Sequence, residues 1–242
     1  MITGAAGGIG QALVHGFADA NYAVIGTDVV ACPEALPCER FIQADLQQTV
    51  TSESYASDIF AGIRQALEGR PLSALINNAA TQILGPVDTL SRAEWHVTLD
   101  TNLLAPFIWT QALLAELEAS CGSVLNISSI HAKLTKPDFV AYATSKAALS
   151  GMTRAMAVEL GARVRVNAIE PAAIETPMLR AGFVGNTVGY EQLKQYHPSG
   201  KIGAPEELAA LARLIVELPG SFANGSIIAF DGGIGGVLHD PC

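Results

Sequence analysis

Tyr142 and Lys146 stand four residues apart in Tyr142-Ala-Thr-Ser-Lys146, a spacing that puts both side chains on one face of a helix, one turn from each other. A free phenol with a pKa near 10 is only about 0.1% ionised at neutral pH, so it moves protons only where its anion is stabilised. A lysine ammonium about 5 Å away, at an effective dielectric near 20, supplies roughly 3 kcal/mol, a little over two pKa units. Tyr142 is then a candidate general acid or base near neutrality. The same spacing occurs in helices that are merely amphipathic, so the pair needs support from its surroundings. Ser129 offers some. It ends the β-type run Val124-Leu-Asn-Ile-Ser-Ser thirteen residues before Tyr142, where its hydroxyl can meet the same substrate oxygen, with Ser128 as the competing hydroxyl next door.

A second constellation opens the chain: Thr3-Gly4-Ala-Ala-Gly7-Gly8-Ile9-Gly10, continued by the helical apolar spacing Ile9, Leu13, Phe17. Glycines here let a strand turn sharply into a helix and let backbone N–H groups approach a pyrophosphate at the helix N-terminus. Residues 22–27 read as the next strand, and Asp28 follows it, eighteen residues past Gly10. A carboxylate there accepts hydrogen bonds from the two adenosine ribose hydroxyls and repels a 2′-phosphate. A simple turn aspartate is the alternative.

With both constellations in place, the chain resembles the short-chain dehydrogenase/reductase family over nearly its whole length. Members carry a serine at the end of one strand and Tyr-x-x-x-Lys on the next helix, and Gly4, Gly8 and Gly10 are in register with their Thr-Gly-x-x-x-Gly-x-Gly turn. The resemblance implies a nicotinamide-dependent oxidoreductase with Asn102, Ser129, Tyr142 and Lys146 as its catalytic set, and the spacing to Tyr142 selects Ser129 over Ser128. Asn102, in Asn-Leu-Leu-Ala-Pro-Phe, would distort its helix and hold a water linking the lysine to solvent. The plainer reading is an asparagine bonded to backbone, and Pro106 predicts a kink nearby.

The cofactor contacts implied by the same resemblance are Gly4, Gly8, Ile9, Gly10, Asp28, Asp45, Leu46, Asn78, Ala79, Ala80, Tyr142, Lys146, Pro171, Ile174 and Thr176. Asp45-Leu46 corresponds to the adenine-contacting position, though an exposed aspartate fits equally well. Ala80 and Ala172 replace family glycines and narrow the site unless the backbone φ is negative there. Asp28 and the uncharged Ala6, where phosphate-preferring relatives often carry a basic residue, point to NAD, with NADP less favoured. Only Met1 and Ile2 precede Thr3, where the family has a longer central strand; either the strand is a stub or upstream residues are missing, and a missing or misassigned start is the expectation.

Substrate-pocket neighbours by position are Gln82, His131, Leu134, Val140, Ala173 and Met178. His131 either lines the pocket and titrates with substrate binding or sits at a loop surface. The expected substrate is a secondary alcohol or ketone. The runner-up enzyme is an NADP-preferring reductase of ketoacyl or sugar ketones. A reading from another class, an NAD(H)-sensing protein without turnover, would ordinarily lack the tyrosine or lysine, and both are present.

Composition bounds the rest. The chain has 242 residues, half of them hydrophobic and only 15% charged, with a formal net charge of −9. That length can bury a full core, and the apolar excess suits subunit contacts. With no basic cluster, nothing draws nucleic acid or an anionic membrane. No apolar run reaches the ~20 residues of a membrane span, and no basic signal segment opens the chain, so a cytoplasmic protein is expected. Cys32, Cys38, Cys121 and Cys242 have no metal-ligand spacing and read as free thiols.

Alternating strand and helix patterns predict an α/β fold: one Rossmann-type domain over 1–242, a doubly wound parallel sheet of about seven strands flanked by helices, with the site at the strands' C-terminal ends. The expected elements include a third strand at 41–44, helix 52–67, strand 73–76, a long helix through Asn102 toward Glu118, strands 163–168 and 226–230, and a helix from Pro205. Segment 177–200 reads as a substrate lid, with a surface helical hairpin as the alternative. By resemblance the protein is a homotetramer or homodimer joined through the helices carrying Asn102 and Tyr142.

Overall fold

Along each central strand apolar side chains alternate between the two faces of the sheet, so both faces require a helical cover. The computed structural model describes residues 1–238; Cys242, expected as a free thiol, lies outside them. Strands β1 (Ile2–Thr3), β2 (Ile25–Asp28), β3 (Arg40–Gln43), β4 (Ala74–Asn77), β5 (Ser123–Ile127), β6 (Arg165–Pro171) and β7 (Ile227–Phe230) form one sheet in the order β3-β2-β1-β4-β5-β6-β7. Every pairing is parallel. The order reverses at β1, where β2 and β4 flank it, and such a switch point leaves a crevice outside the carboxyl ends.

The helices are α1 (Gly8–Ala18), α2 (Leu46–Thr51), α3 (Glu53–Leu67), α4 (Arg92–Leu99), α5 (Ala105–Ala112), α6 (Leu114–Glu118), α7 (Val140–Leu160), α8 (Pro177–Ala181), α9 (Thr187–Tyr196) and α10 (Pro205–Glu217). On one face Leu75, Val124 and Val166 pack with Phe60, Trp109 and Leu160 from α3, α5 and α7. On the other, Ile76, Leu125 and Ile169 meet Leu13 and Phe17 of α1 and Leu208 and Ile215 of α10. Each such fully buried aliphatic or aromatic side chain stabilises by roughly 1.5–3 kcal/mol.

Several boundaries differ from the sequence expectation. The single long helix through Asn102 is α4 and α5 joined by a π-helical segment, Asp100–Leu104, with α6 beyond. Pro106 lies just after that segment, and its missing N–H removes one intrahelical bond there. The short α2 was not expected. Asp45 caps it by accepting from the Gln47 N–H at 2.9 Å, and Ser52 then caps α3 by accepting from Tyr55 at 3.4 Å. β1 pairs through Ile2 with Gly26 and Ile76, and the Met1 carbonyl extends that ladder by accepting from the Ile76 N–H at 2.9 Å. No described helix is long and apolar enough to cross a membrane.

Candidate active site

Three loops leave the carboxyl ends of β1, β4 and β6 and pack on one another. Gly4 has φ +64, and a Cβ there would lie 2.8 Å from the Ala79 Cα. Gly8 is equally confined by the third loop, since a Cβ would meet the Thr176 methyl at 2.9 Å. The glycine turn thus touches both other segments of the expected cofactor site. Thr3 stitches the first two: its Oγ1 accepts from the Asn78 and Ala79 N–H groups at 3.0 and 3.1 Å. The Asn78 amide donates to the Thr3 and Gly4 carbonyls at 3.0 and 3.1 Å, so its side chain holds the turn.

The residues present fit a dinucleotide. Gly7 gives α1 no side-chain cap and its first turn carries no acid, which leaves N–H groups near Gly8 and Ile9 for an anion. Asp28, the last residue of β2, accepts from the Ala6 N–H at 2.9 Å and is thereby fixed beside the turn. Ala80 and Ala172 both have negative φ, so each methyl is accommodated without left-handed strain. Asp45 is committed to capping, while the Leu46 and Ile174 side chains are buried in the core and present only backbone. Pro171 closes β6, and Thr176 caps α8 by accepting from the Leu179 N–H at 3.2 Å.

Beyond β5, Ser129 starts a 3-10 turn, Ile130–Ala132, and its Oγ accepts from the His131 N–H at 3.1 Å. Tyr142 lies in the first turn of α7, with the Ser129 hydroxyl close enough to act on its phenol. Lys146, one turn on, is 2% exposed and donates to the Ile127 carbonyl at 2.8 Å. Its Nζ sits 5.7 Å from the Tyr142 ring centre. Burial pushes this ammonium down to about 7. Burial also raises the Tyr142 phenol, with the nearby Ser129 hydroxyl opposing. That direction is the reverse of the one expected from the lysine alone, because the cost of desolvating a buried phenolate is the largest influence on the group.

Asn102 lies within the π-helical segment. Its Oδ1 accepts from the Thr81 N–H at 2.8 Å, and its Nδ2 donates to the Thr81 carbonyl at 2.9 Å and to Ser145 Oγ at 3.0 Å. Both amide hydrogens are therefore committed, and only a lone pair on Oδ1 is left for a water. Ser145 in turn donates to the Tyr142 carbonyl at 2.7 Å, so Asn102 joins the loop after β4 to the tyrosine's helix.

Of the expected pocket residues, the structure sets His131 directly against Tyr142, with ring centres 5.8 Å apart, and stacks it on Phe139 at 4.3 Å. Burial, helped by the charge of Lys136, pushes His131 down to about 4, so it stays neutral through the physiological range instead of titrating. Leu134 and Met178 are exposed at 49% and 63%. Gln82 is exposed and Ala173 half-buried, its carbonyl accepting from Gly203. Glu175 holds both helices of the 177–200 segment to the loop after β6: Arg180 of α8 donates to it at 2.6 Å, and the Tyr190 hydroxyl of α9 hydrogen-bonds it as well.

The family resemblance gives Asn77 a sheet-supporting role; its partners Asn126 and Thr153 were passed over by motif reading. Asn77 donates to Asn126 at 2.8 Å and Asn126 to Thr153 of α7 at 2.9 Å, a buried polar rung linking β4, β5 and α7. An asparagine inside an apolar strand, Asn126 in β5, is the available signal, since a buried amide must find partners.

A family model described as Enoyl-(Acyl carrier protein) reductase matches residues 4–235. The 5-keto-D-gluconate 5-reductase of Escherichia coli (strain K12) is 30% identical over 239 residues, spanning 97% of this chain and 94% of its own. Among solved structures, ligand-free Thermoplasma acidophilum aldohexose dehydrogenase superposes with a TM-score of 0.91 at 27% identity, covering 100% of this chain and 95% of that one. A 4-hydroxyisoleucine dehydrogenase complexed with NADH gives a TM-score of 0.87 at 28% identity over 98% of each chain.

Proposed function

Since the chain belongs to the short-chain dehydrogenase/reductase family of NAD(P)-dependent oxidoreductases, we propose that it is an NAD-preferring member acting on a small secondary alcohol or ketone. Tyr142 exchanges the hydroxyl proton with that substrate. The observation that carries this reading is the buried Lys146 ammonium set 5.7 Å from the Tyr142 ring, one helical turn on, on the helix that follows the Ser129 turn.

The bound nicotinamide supplies the hydride acceptor or donor. The protein's own groups do the rest. Ser129 has one lone pair engaged by the His131 N–H, which leaves its O–H free to donate to the substrate oxygen. Tyr142 takes the alcohol proton as its phenolate or returns it as its phenol. Lys146 has one N–H on the Ile127 carbonyl and two for the nicotinamide ribose and the phenolate. A ribose contact there favours the charged lysine, which then assists the tyrosine as its burial alone does not. Asn102 holds Thr81 and Ser145 in place and offers its Oδ1 to a relay water.

NAD preference is supported by the Asp28 carboxylate fixed on the Ala6 N–H and by the uncharged Ala6 side chain. The names of the relatives, a keto-gluconate reductase, an aldohexose dehydrogenase and a hydroxyisoleucine dehydrogenase, favour a compact substrate with several polar groups. The same reading makes 177–200 a substrate lid and the protein a homotetramer in which α5 and α7 meet partner subunits.

The test is NADH formation across a panel of polyols, aldoses and hydroxy acids, followed by Tyr142→Phe. The variant should bind NADH with unchanged affinity by fluorescence and lose at least about a hundredfold in turnover. Near-normal turnover would refute the role of Tyr142, and tighter binding of NADPH than NADH would refute the cofactor preference.

A further inference from the structure

Glu170 is the residue before Pro171 at the end of β6, and it is 3% exposed. One carboxylate oxygen accepts from Ser150 Oγ of α7 at 2.7 Å, and the other meets Lys133 Nζ at 2.9 Å. Ser150 lies one turn beyond Lys146 and its hydroxyl is 2.9 Å from that of Ser128, whose Oγ donates to the Lys146 carbonyl at 3.0 Å. Lys133, with a side chain 62% exposed, dips inward from the end of the 3-10 turn that follows Ser129. One buried acid therefore ties together the cofactor strand, the tyrosine's helix and the turn beyond the catalytic serine.

The geometry of that turn matters to Ser129. Its hydroxyl is oriented by the His131 N–H at 3.1 Å, and the turn is closed on its far side by Lys133 and Leu134, whose N–H groups donate to the Ile130 carbonyl at 3.0 and 2.9 Å. Moving the turn outward would strip the buried carboxylate of its cation, and a buried charge without a partner is strongly disfavoured. We propose that Glu170 and Lys133 are positioning residues: their ion pair locks the turn after β5, so that the His131 N–H holds the Ser129 hydroxyl in its working orientation. The clamp stands on the geometry alone; its consequence for turnover rests on the role given to Ser129 above.

The experiment is amide hydrogen exchange of the intact protein, resolved by NMR at residues 130–134, paired with steady-state kinetics on the best alcohol of the panel. Lys133→Met keeps the aliphatic stem at an exposed position and removes the cation; Lys133→Arg keeps the cation. Exchange at the His131 amide should rise at least about tenfold in Lys133→Met while amides of β5 stay protected. Turnover should fall at least about fivefold with NADH affinity within about twofold of the starting protein. Lys133→Arg should restore both. Glu170→Gln should match Lys133→Met, and the double variant should be no worse than either single one, because both remove the same pair. Should Glu170→Gln fold poorly, the two lysine variants carry the test alone.

Unchanged His131 exchange in Lys133→Met, or exchange that rises uniformly through the sheet, would overturn the clamp. A clamp that behaves as described in a protein inactive on every alcohol and ketone would instead count against the dehydrogenase reading.

Discussion

Replacing Lys146 by methionine should make the cofactor-free protein more stable while abolishing turnover. The ammonium is 2% exposed and has one hydrogen bond, to the Ile127 carbonyl at 2.8 Å. Burial lowers its pKa from 10.5 to about 7. Between those values the unfolded chain holds a proton that the folded protein has released, so stability rises with pH across the window. It is fully present above about 10.5, is lost as pH falls toward 7, and is lowest below that. At 1.36 kcal/mol per unit, the protein gives up roughly 3–5 kcal/mol over that span and about 2 kcal/mol between pH 9 and pH 7. Methionine has similar length and a flexible apolar body. It removes the charge and leaves one carbonyl unbonded, at a cost of about 1 kcal/mol. The net gain expected at pH 7 is roughly 2–4 kcal/mol, a large fraction of an ordinary 5–15 kcal/mol stability. Urea unfolding followed by the fluorescence of the buried Trp109 at pH 7 and pH 9 measures both quantities. A variant less stable than its parent at pH 7, or one that keeps the parent's pH slope, would refute the reasoning.

Two further outcomes follow from the cofactor site. Asp28→Asn keeps an acceptor for the Ala6 N–H but removes the charge; losing about 1–2 kcal/mol of charge-assisted hydrogen bonding should weaken NADH about tenfold. The preference over NADPH should fall by at least as much in parallel fluorescence titrations, and an unchanged ratio would show that Asp28 does not read the ribose. Gly4→Ala combines a left-handed φ of +64 with a methyl 2.8 Å from the Ala79 Cα, a strain of at least about 1–2 kcal/mol that backbone cannot easily relieve. Its melting temperature should drop by several degrees and NADH affinity by at least about tenfold, and a titration indistinguishable from the parent's would contradict the packing of the two loops.

Much of the site was legible because its signals are local. Tyr142 and Lys146 share a helical face at any position where their segment is a helix. A glycine-rich turn opening into a helix, with an acid at the end of the next strand, points to a nucleotide crevice within thirty residues of chain. The distortion at Asn102 was anticipated, although its form, a π-helical segment between two helices, is set by the bonds to Thr81 and Ser145 from other elements. The α2 helix escaped notice because six residues carry too little periodicity to register.

What the sequence by itself determined is an inventory and an order: which groups can move a proton, which turn can face a phosphate, and an alternation of elements compatible with one parallel sheet. Only the tertiary structure decided how those groups behave. The rise of the Tyr142 phenol, the fall of the Lys146 ammonium and the neutrality of His131 all follow from desolvation, which depends on the atoms packed around a group and not on its neighbours in the chain. The tie from Lys133 through Glu170 to Ser150 is of the same kind. Those residues lie far apart in sequence and meet only because β5, β6 and α7 pack side by side, and it is that packing which turns three ordinary polar residues into one buried joint.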